Sequence, residues 1–273
     1  MHETSVFWLR IAAALYFIGL LHTLLTLVRQ RSSLFRLAHS AFLVGVILHM
    51  VSIVELALAE RQLPLGDFYQ SVSVLAFFIA LLFLFVWWRY QFAPLSLFSF
   101  PLVFLLTVIG ATQEPVSGWA NPRLRDAWLM VHVLTVLSGY AALLLTAAAS
   151  VFYLVRERQL KSKNLSRGLF DRLPPLGTLD NIITKSLEFC FVFFTVGVLA
   201  GITWAFIETG TKWIGDGRIL VGLITWSVCL ITLFLRSMAG WRGRRAAIIS
   251  ITLTGCAVFT WASHVGLRAL LLR

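Results

Sequence analysis

Charged side chains are scarce in this sequence of 273 residues, of which only 13% are Asp, Glu, Lys or Arg. A soluble domain of ordinary composition carries about 25% charged residues, so the scarcity argues against a soluble globular fold. Hydrophobic residues make up 59% of the chain and fall into runs of about 18 to 25, the length that crosses about 30 Å of hydrocarbon. Backbone groups within such runs must bond inside the segment, which predicts helices.

Acidic residues are especially few, 12 against 23 Lys and Arg, and the formal net charge is +11. In a soluble protein this excess would suggest a nucleic-acid partner. Here the basic residues concentrate in alternate connections between apolar runs, and no basic stripe interleaves with stacking aromatics. We therefore expect membrane lipids, and no nucleic acid, as partners.

Cysteine is also rare. Cys190, Cys229 and Cys256 all lie in apolar runs and form no Cys-x-x-Cys pair. Such residues are expected to act as small core hydrophobes, which disfavours a role in thiol-disulfide exchange.

The apolar runs predict an all-α polytopic membrane protein of the cell inner (plasma) membrane. We expect one transmembrane domain over residues 1–273, with about eight helices. The predicted spans are residues 6–28, 37–59, 71–88, 93–111, 127–155, 186–207, 219–235 and 246–267.

Orientation follows from counting Lys and Arg on each side of the spans. The connections after the odd-numbered spans hold fifteen, and the opposite side holds seven. Because cytoplasmic connections carry the excess, both termini are predicted outside the cytoplasm. The longest cytoplasmic connection would be residues 156–185.

Five of the six histidines lie within predicted spans, where an ionisable side chain is costly. His132 and His264 are both predicted at shallow depth on the outer side, beneath an outer loop that contains Trp213 and Asp216 and follows Trp204. Two facing imidazoles could take the axial positions of an iron porphyrin on which flat side chains stack. The alternatives are helix–helix hydrogen bonds for the histidines and an interfacial belt for the tryptophans.

His49 lies near the middle of the second span, with Glu55 nearer the outside. A membrane-embedded heme or proton site is one interpretation of His49, and a buried polar contact is the other. Its position does not distinguish them.

Several segments, taken in order, resemble the heme-handling cytochrome c assembly proteins of the CcsA and HemX type. Gly45 and His49 resemble the family's Gly-x-x-x-His helix, and Trp128-Leu-Met-Val-His132 resembles the helix that carries the first outer heme-ligating histidine. The remaining matches are Leu63 to Ser71, Ser138-Gly-Tyr140, Gly201-Ile-Thr-Trp204-Ala205, Trp213, Asp216, Leu223-Ile-Thr-Trp226 and Gly240-Trp241-Arg242-Gly243-Arg244-Arg245-Ala246.

The sequence departs from the family's tryptophan-rich outer signature, Trp-x-Trp-Asp-x-Lys-Glu. Gly215 replaces the second tryptophan, Arg218 the lysine and Ile219 the glutamate, and Asp67 and Gln70 replace an asparagine and a glutamate at the start of span 3. Such a degenerate signature is more typical of the short HemX-like branch.

The resemblance implies a membrane protein that binds heme b and assists cytochrome c maturation. His132 and His264 would hold the iron at the outer face, and His49 would hold heme within the bilayer. Trp204, Trp213 and Asp216 would contact the porphyrin edge. A partner membrane protein with a large outer domain would present apocytochrome c.

Two other functions remain open from the sequence. A HemX-like regulator would set the level of a heme-synthesis enzyme through the basic connection 156–185. A proton-coupled small-molecule transporter would use Glu55 and the histidines as a relay. No nucleophile, general base or phosphate loop is evident, so we do not expect an enzyme.

Overall fold

The computed structural model describes residues 2–29, 32–61, 63–65, 68–112, 123–162, 173–209, 217–237 and 240–271. Within these residues the secondary structure is helical, which confirms the all-α prediction. The eight α-helices contain the eight predicted spans, with one short 3₁₀ turn, Ala93–Leu95, opening the fourth. The helices are α1 His2–Arg29, α2 Ser32–Glu60, α3 Phe68–Tyr90, α4 Ser96–Gly110, α5 Arg123–Ser162, α6 Leu176–Thr209, α7 Gly217–Ser237 and α8 Arg244–Leu271.

Seven of these helices are long and apolar enough to cross a membrane over the residues described. The eighth, α8, has 28 residues, and its side chains are described as far as residue 259. The chain is therefore a multi-pass membrane protein. Its orientation, deduced from the basic residues, stays a prediction.

The connection predicted at residues 156–185 is shorter in the structure. The helix α5 continues to Ser162, and α6 already begins at Leu176. Residues 156–162 are Arg, Glu, Gln, Leu, Lys and Ser, most of which are good helix formers, so the helix extends beyond the apolar run. At the other end, Pro174 and Pro175 precede α6, consistent with the preference of proline for helix starts.

The described contacts group into two compact units. The first contains Met1–Trp119 with Arg158–Pro174, and the second contains Ala120–Glu157 with Pro175–Arg273. The single domain predicted over residues 1–273 stays a prediction.

The core of the first unit is a cluster of aromatic rings from four helices. Phe42 of α2 stacks on Phe100 of α4, with centroids 4.1 Å apart and planes inclined by 5°. Phe83 of α3 meets both rings edge-on, and Tyr16 of α1 packs against Phe42 at 5.0 Å. Buried rings of this size dominate packing energy, so the cluster fixes α1 to α4 around His49.

Polar contacts join the helices of the second unit. The Thr254 hydroxyl of α8 donates to the Leu143 carbonyl of α5 at 3.2 Å, and the Trp226 indole of α7 donates to the Thr195 hydroxyl of α6 at 2.9 Å. Interhelical bonds of this kind contribute to association where no hydrophobic effect operates between helices.

Candidate functional site

The imidazole of His132 in α5 reaches across to α6. Its Nδ1 lies 2.6 Å from the backbone carbonyl of Gly197. A carbonyl oxygen can only accept, so Nδ1 carries the proton, and in the neutral ring Nε2 keeps its lone pair. Metal-bound histidines commonly donate their other N–H in this way, which orients the ring and raises the basicity of the ligand. The helix–helix hydrogen bond predicted as the alternative is therefore present, and it uses Nδ1 rather than Nε2.

Two glycines of α6 allow this approach. A Cβ atom on Gly201 would lie 2.6 Å from His132 Nδ1 and 2.7 Å from Cε1, and one on Gly197 would lie 2.8 Å from a methyl group of Val136. Contacts this short are not sustained, so larger residues here would displace the ring or separate the helices. Gly197-Val-Leu-Ala-Gly201 is a Gly-x-x-x-Gly motif, which permits close helix approach. Gly197 was not among the residues predicted from the sequence, although this spacing was the signal for it.

Trp204 lies on the same face of α6, one turn beyond Gly201, because residues three and four apart are neighbours on a helix. Its indole Nε1 is buried and has no hydrogen-bond partner among the described residues. A buried donor without a partner costs free energy, so an acceptor is expected there.

His132 and Gly201 lie at similar distances from the neighbouring ends of α5 and α6. His132 is nine residues from the start of α5 and Gly201 is eight from the end of α6, about 13 Å and 12 Å at 1.5 Å per residue. The predicted outer residues Trp213 and Asp216 lie outside the described residues. The backbone of His264 lies in α8, but its side chain is not among those described, so its pairing with His132 stays a prediction.

His49 is fully buried in the first unit, where both ring nitrogens have partners. Its Nε2 lies 2.9 Å from the Ser73 hydroxyl of α3, and its Nδ1 lies 3.3 Å from the Tyr16 hydroxyl of α1. The structure therefore contains the buried polar contact that was one interpretation of His49. Iron binding would require one hydroxyl to release its nitrogen.

Gly45, the glycine of the Gly-x-x-x-His pattern, makes room for the Tyr16 ring that contacts His49. A Cβ atom on Gly45 would lie 2.8 Å from the Tyr16 ring, and one on Gly110 would lie 2.9 Å from Ser73 Cβ. Both small residues let hydroxyl-bearing side chains approach the His49 ring.

A cleft of about 10 Å³ adjoins Ser73 and is also lined by Ser5, Ser52 and Gln70. Pockets for drug-sized ligands span about 300–1,000 Å³, so the cleft does not fit a porphyrin in this conformation. The His49 site would have to open to take heme.

The other histidines with described side chains do not join these sites. His22 is exposed and bonds the Ile18 carbonyl of its own helix at 2.9 Å, and His39 packs on Trp87 with centroids 5.1 Å apart. No three His, Cys, Asp or Glu side chains converge within the described part of the chain.

The cysteines differ from each other in burial. Cys190 and Cys229 are buried, with sulfur atoms 3.9 Å apart, whereas Cys256 is exposed. The expectation of a core position therefore holds for the first two and is wrong for Cys256. Exposing Cys256 costs little free energy, because the outer surface of an apolar transmembrane helix such as α8 faces lipid.

These features define a class: an all-α, multi-pass membrane protein with a histidine held between two of its helices. The family model described as cytochrome C assembly protein matches residues 34–261 of the chain. The chain belongs to the cytochrome c assembly protein family, as the resemblance predicted.

Relatives named cytochrome c biogenesis protein CcsA are similar over most of the chain. The protein from Prochlorococcus marinus (strain MIT 9312) is 28% identical over 209 residues, 68% of each chain. The protein from Guillardia theta is 28% identical over 230 residues, covering 76% of this chain and 74% of the relative. The protein from Mesostigma viride is 25% identical over 234 residues, covering 77% and 76%.

Proposed function

We propose that this protein handles heme b at the outer face of the inner membrane and assists its attachment to c-type cytochromes. Family membership and the names of the relatives support a role in cytochrome c biogenesis. The observation that carries the heme proposal is the hydrogen bond from His132 Nδ1 to the Gly197 carbonyl, which leaves the Nε2 lone pair without a recorded partner among the described residues.

Heme is the proposed cargo, and it supplies an iron with an axial position on each face of the porphyrin. His132 Nε2 takes one position, and His264 is proposed for the other. The Gly197 carbonyl keeps the imidazole in one tautomer and orientation, so the side chain would lose little further conformational freedom on binding iron.

Trp204 is proposed to bind the porphyrin edge. Its Nε1–H, which has no partner among the described residues, is a donor, and the propionate carboxylates of heme are acceptors. Trp213 and Asp216, in the following connection, are proposed to contact the same edge.

His49 is proposed to hold heme within the bilayer before it reaches the outer site. This step requires the Ser73 or Tyr16 hydroxyl to release a ring nitrogen. The two histidine environments therefore suggest a transient site at His49 and a preorganised one at His132.

Apocytochrome c is the proposed recipient. The described residues form helices with short connections, so we propose that a partner membrane protein with a large outer domain presents the apocytochrome thiols. No enzymatic activity is proposed for this chain.

The test is the absorption spectrum of the purified protein and of matched histidine variants. The wild type should show a low-spin spectrum of bis-histidine heme. His132→Gly should lose most of the heme and recover it with added imidazole, because imidazole can replace the missing ligand. His22→Gly is the control, since this exposed histidine bonds its own helix and should retain the wild-type spectrum.

Three outcomes would contradict the proposal. Unchanged heme content in His132→Gly would exclude this ligand. Colourless protein with a stable cytoplasmic partner would favour the HemX-like regulator, and proton-coupled flux in vesicles would favour the transporter.

A further inference from the structure

A second polar site lies at the opposite end of the second unit, near the turn between α7 and α8. Arg236, in the last turn of α7, is only 4% exposed. It lines a narrow cleft, about 10 Å³ in volume, together with Thr232, Leu235, Trp241, Ala246, Ile249 and Ser250. The positive charge distribution predicts that this end faces the cytoplasm.

The hydrogen bonds of Arg236 use only part of its guanidinium group. Nε donates to the Thr184 hydroxyl at 2.8 Å, and Nη2 donates to the Asp180 carbonyl at 2.9 Å and to its carboxylate at 2.5 Å. Nη1 is buried without a partner among the described residues. Because a guanidinium has donors on all three nitrogens, two N–H groups remain for an acceptor.

The backbone around the cleft adds to its preference for an anion. Gly240 and Gly243 have φ angles of +66° and +75°, which side chains rarely adopt, and they reverse the chain so that α8 starts beside the cleft. The first N–H groups of a helix have no partner in the helix and carry its positive dipole end. Arg242, Arg244 and Arg245 are exposed in the same segment, whereas Asp180 is the acid that pairs with Arg236.

The surroundings favour a lipid over a free anion. Trp241 is 37% exposed, and Phe234 and Ile231 of α7 are 58% and 55% exposed. Tryptophan is enriched at the membrane interface, and the exposed apolar side chains offer a surface for an acyl chain. The cytoplasmic leaflet is also the one that carries anionic lipids.

We propose that this cleft binds the phosphate of an anionic phospholipid headgroup through Arg236 Nη1 and the first turn of α8. The acyl chains lie along the outward face of α7, and Trp241 sits at the level of the headgroup. Asp180 and Thr184 hold the guanidinium in place, so the arginine joins α6 and α7 and binds lipid with different nitrogens.

Native mass spectrometry and lipid-dependent melting of the full-length protein test this site. Phosphatidylglycerol should be retained and should raise the melting temperature more than phosphatidylcholine does. Inorganic phosphate should have little effect, because it lacks acyl chains. An equal effect of inorganic phosphate would assign the site to a free anion and overturn the lipid proposal.

Two variants weaken the site in different ways. Arg236→Lys keeps the positive charge beside Asp180 but loses the separate Nη1 group, and Ser250→Leu fills the cleft without removing Arg236. Each should weaken phosphatidylglycerol binding about tenfold, the size expected for one charge-assisted hydrogen bond.

Arg242→Gln is the matched control, since it removes a charge outside the cleft and should retain most of the lipid. If Arg242→Gln loses as much lipid as the two cleft variants, binding is diffuse electrostatic attraction and the site is wrong. If both cleft variants elute as folded protein and retain phosphatidylglycerol, the proposal also fails.

Discussion

Gly201 of α6 and His132 of α5 are in such close contact that a methyl group on the glycine would lie 2.6 Å from Nδ1 of the imidazole. The Gly197 carbonyl, one turn earlier on the same helix, accepts the proton of that nitrogen. One stripe of α6 therefore supplies both the space for the ring and the group that fixes its tautomer.

This contact predicts the effect of Gly201→Ala. The added methyl group should displace the His132 ring and cost about 1–3 kcal/mol of stability, the range for overpacking. Heme retention should fall, and the electron paramagnetic resonance spectrum should report altered axial ligation. Gly222→Ala is the control, because no atom of the described residues lies within 4 Å of a Cβ atom there. Equal loss of heme in both variants would mean that the contact does not position the ligand.

A second prediction concerns the His49 contact. His49→Ala leaves the Tyr16 and Ser73 hydroxyls without this partner, and an unpaired buried polar group costs about 1–3 kcal/mol. Thermal stability should therefore fall, and heme content should fall if His49 also holds heme.

Ser73→Ala separates the two roles of His49. Removing this hydroxyl frees Nε2, so heme content should be retained or should rise, while stability falls. Ser40→Ala is the control, since its hydroxyl bonds only the exposed turn before it. Unchanged heme content and cytochrome maturation in His49→Ala would leave His49 as a structural contact.

The two buried cysteines test the packing of α6 on α7. Cys190 and Cys229 have sulfur atoms 3.9 Å apart, so copper phenanthroline with oxygen should join them in a disulfide after small side-chain rotations. A protease site inserted between α6 and α7 would reveal the cross-link as fragments that separate only on reduction. Cys190→Ser should abolish it. A cross-link that instead requires Cys256 would show that the helices pack differently.

Orientation is tested by reporter fusions at Lys163 and Arg273, two positions outside the described residues. The count of basic residues places Lys163 in the cytoplasm and Arg273 outside. The two reporters should therefore give opposite sidedness. Finding both on one side would contradict the orientation and, with it, the shared outer position of His132 and His264.

Sequence patterns were sufficient to predict the eight helices, because each span is a local run whose length is set by the bilayer. They were less accurate at the ends of α5 and α6, where polar residues extend the helices beyond the apolar runs. His132, His49 and Trp204 were also identifiable, since a polar side chain within an apolar span needs a reason to be there.

The state of each histidine was not predictable in this way. His132 and His49 are both single polar residues in apolar helices, and their neighbours in sequence do not distinguish them. At His132 a carbonyl 65 residues away takes Nδ1, and no partner is recorded for Nε2 among the described residues. At His49 hydroxyls 33 and 24 residues away take both.

The sequence by itself therefore determined the membrane class, the number of helices and the candidate residues, because these follow from local hydrophobicity and composition. Tertiary structure alone decided which imidazole nitrogen of His132 donates to a carbonyl, and which nitrogen of Arg236 has no partner among the described residues. The physical reason is that the hydrogen-bond partners of these side chains come from other helices. Its approach depends on close packing at Gly197, Gly201 and Gly45, and the periodicity of a single helix does not encode that packing.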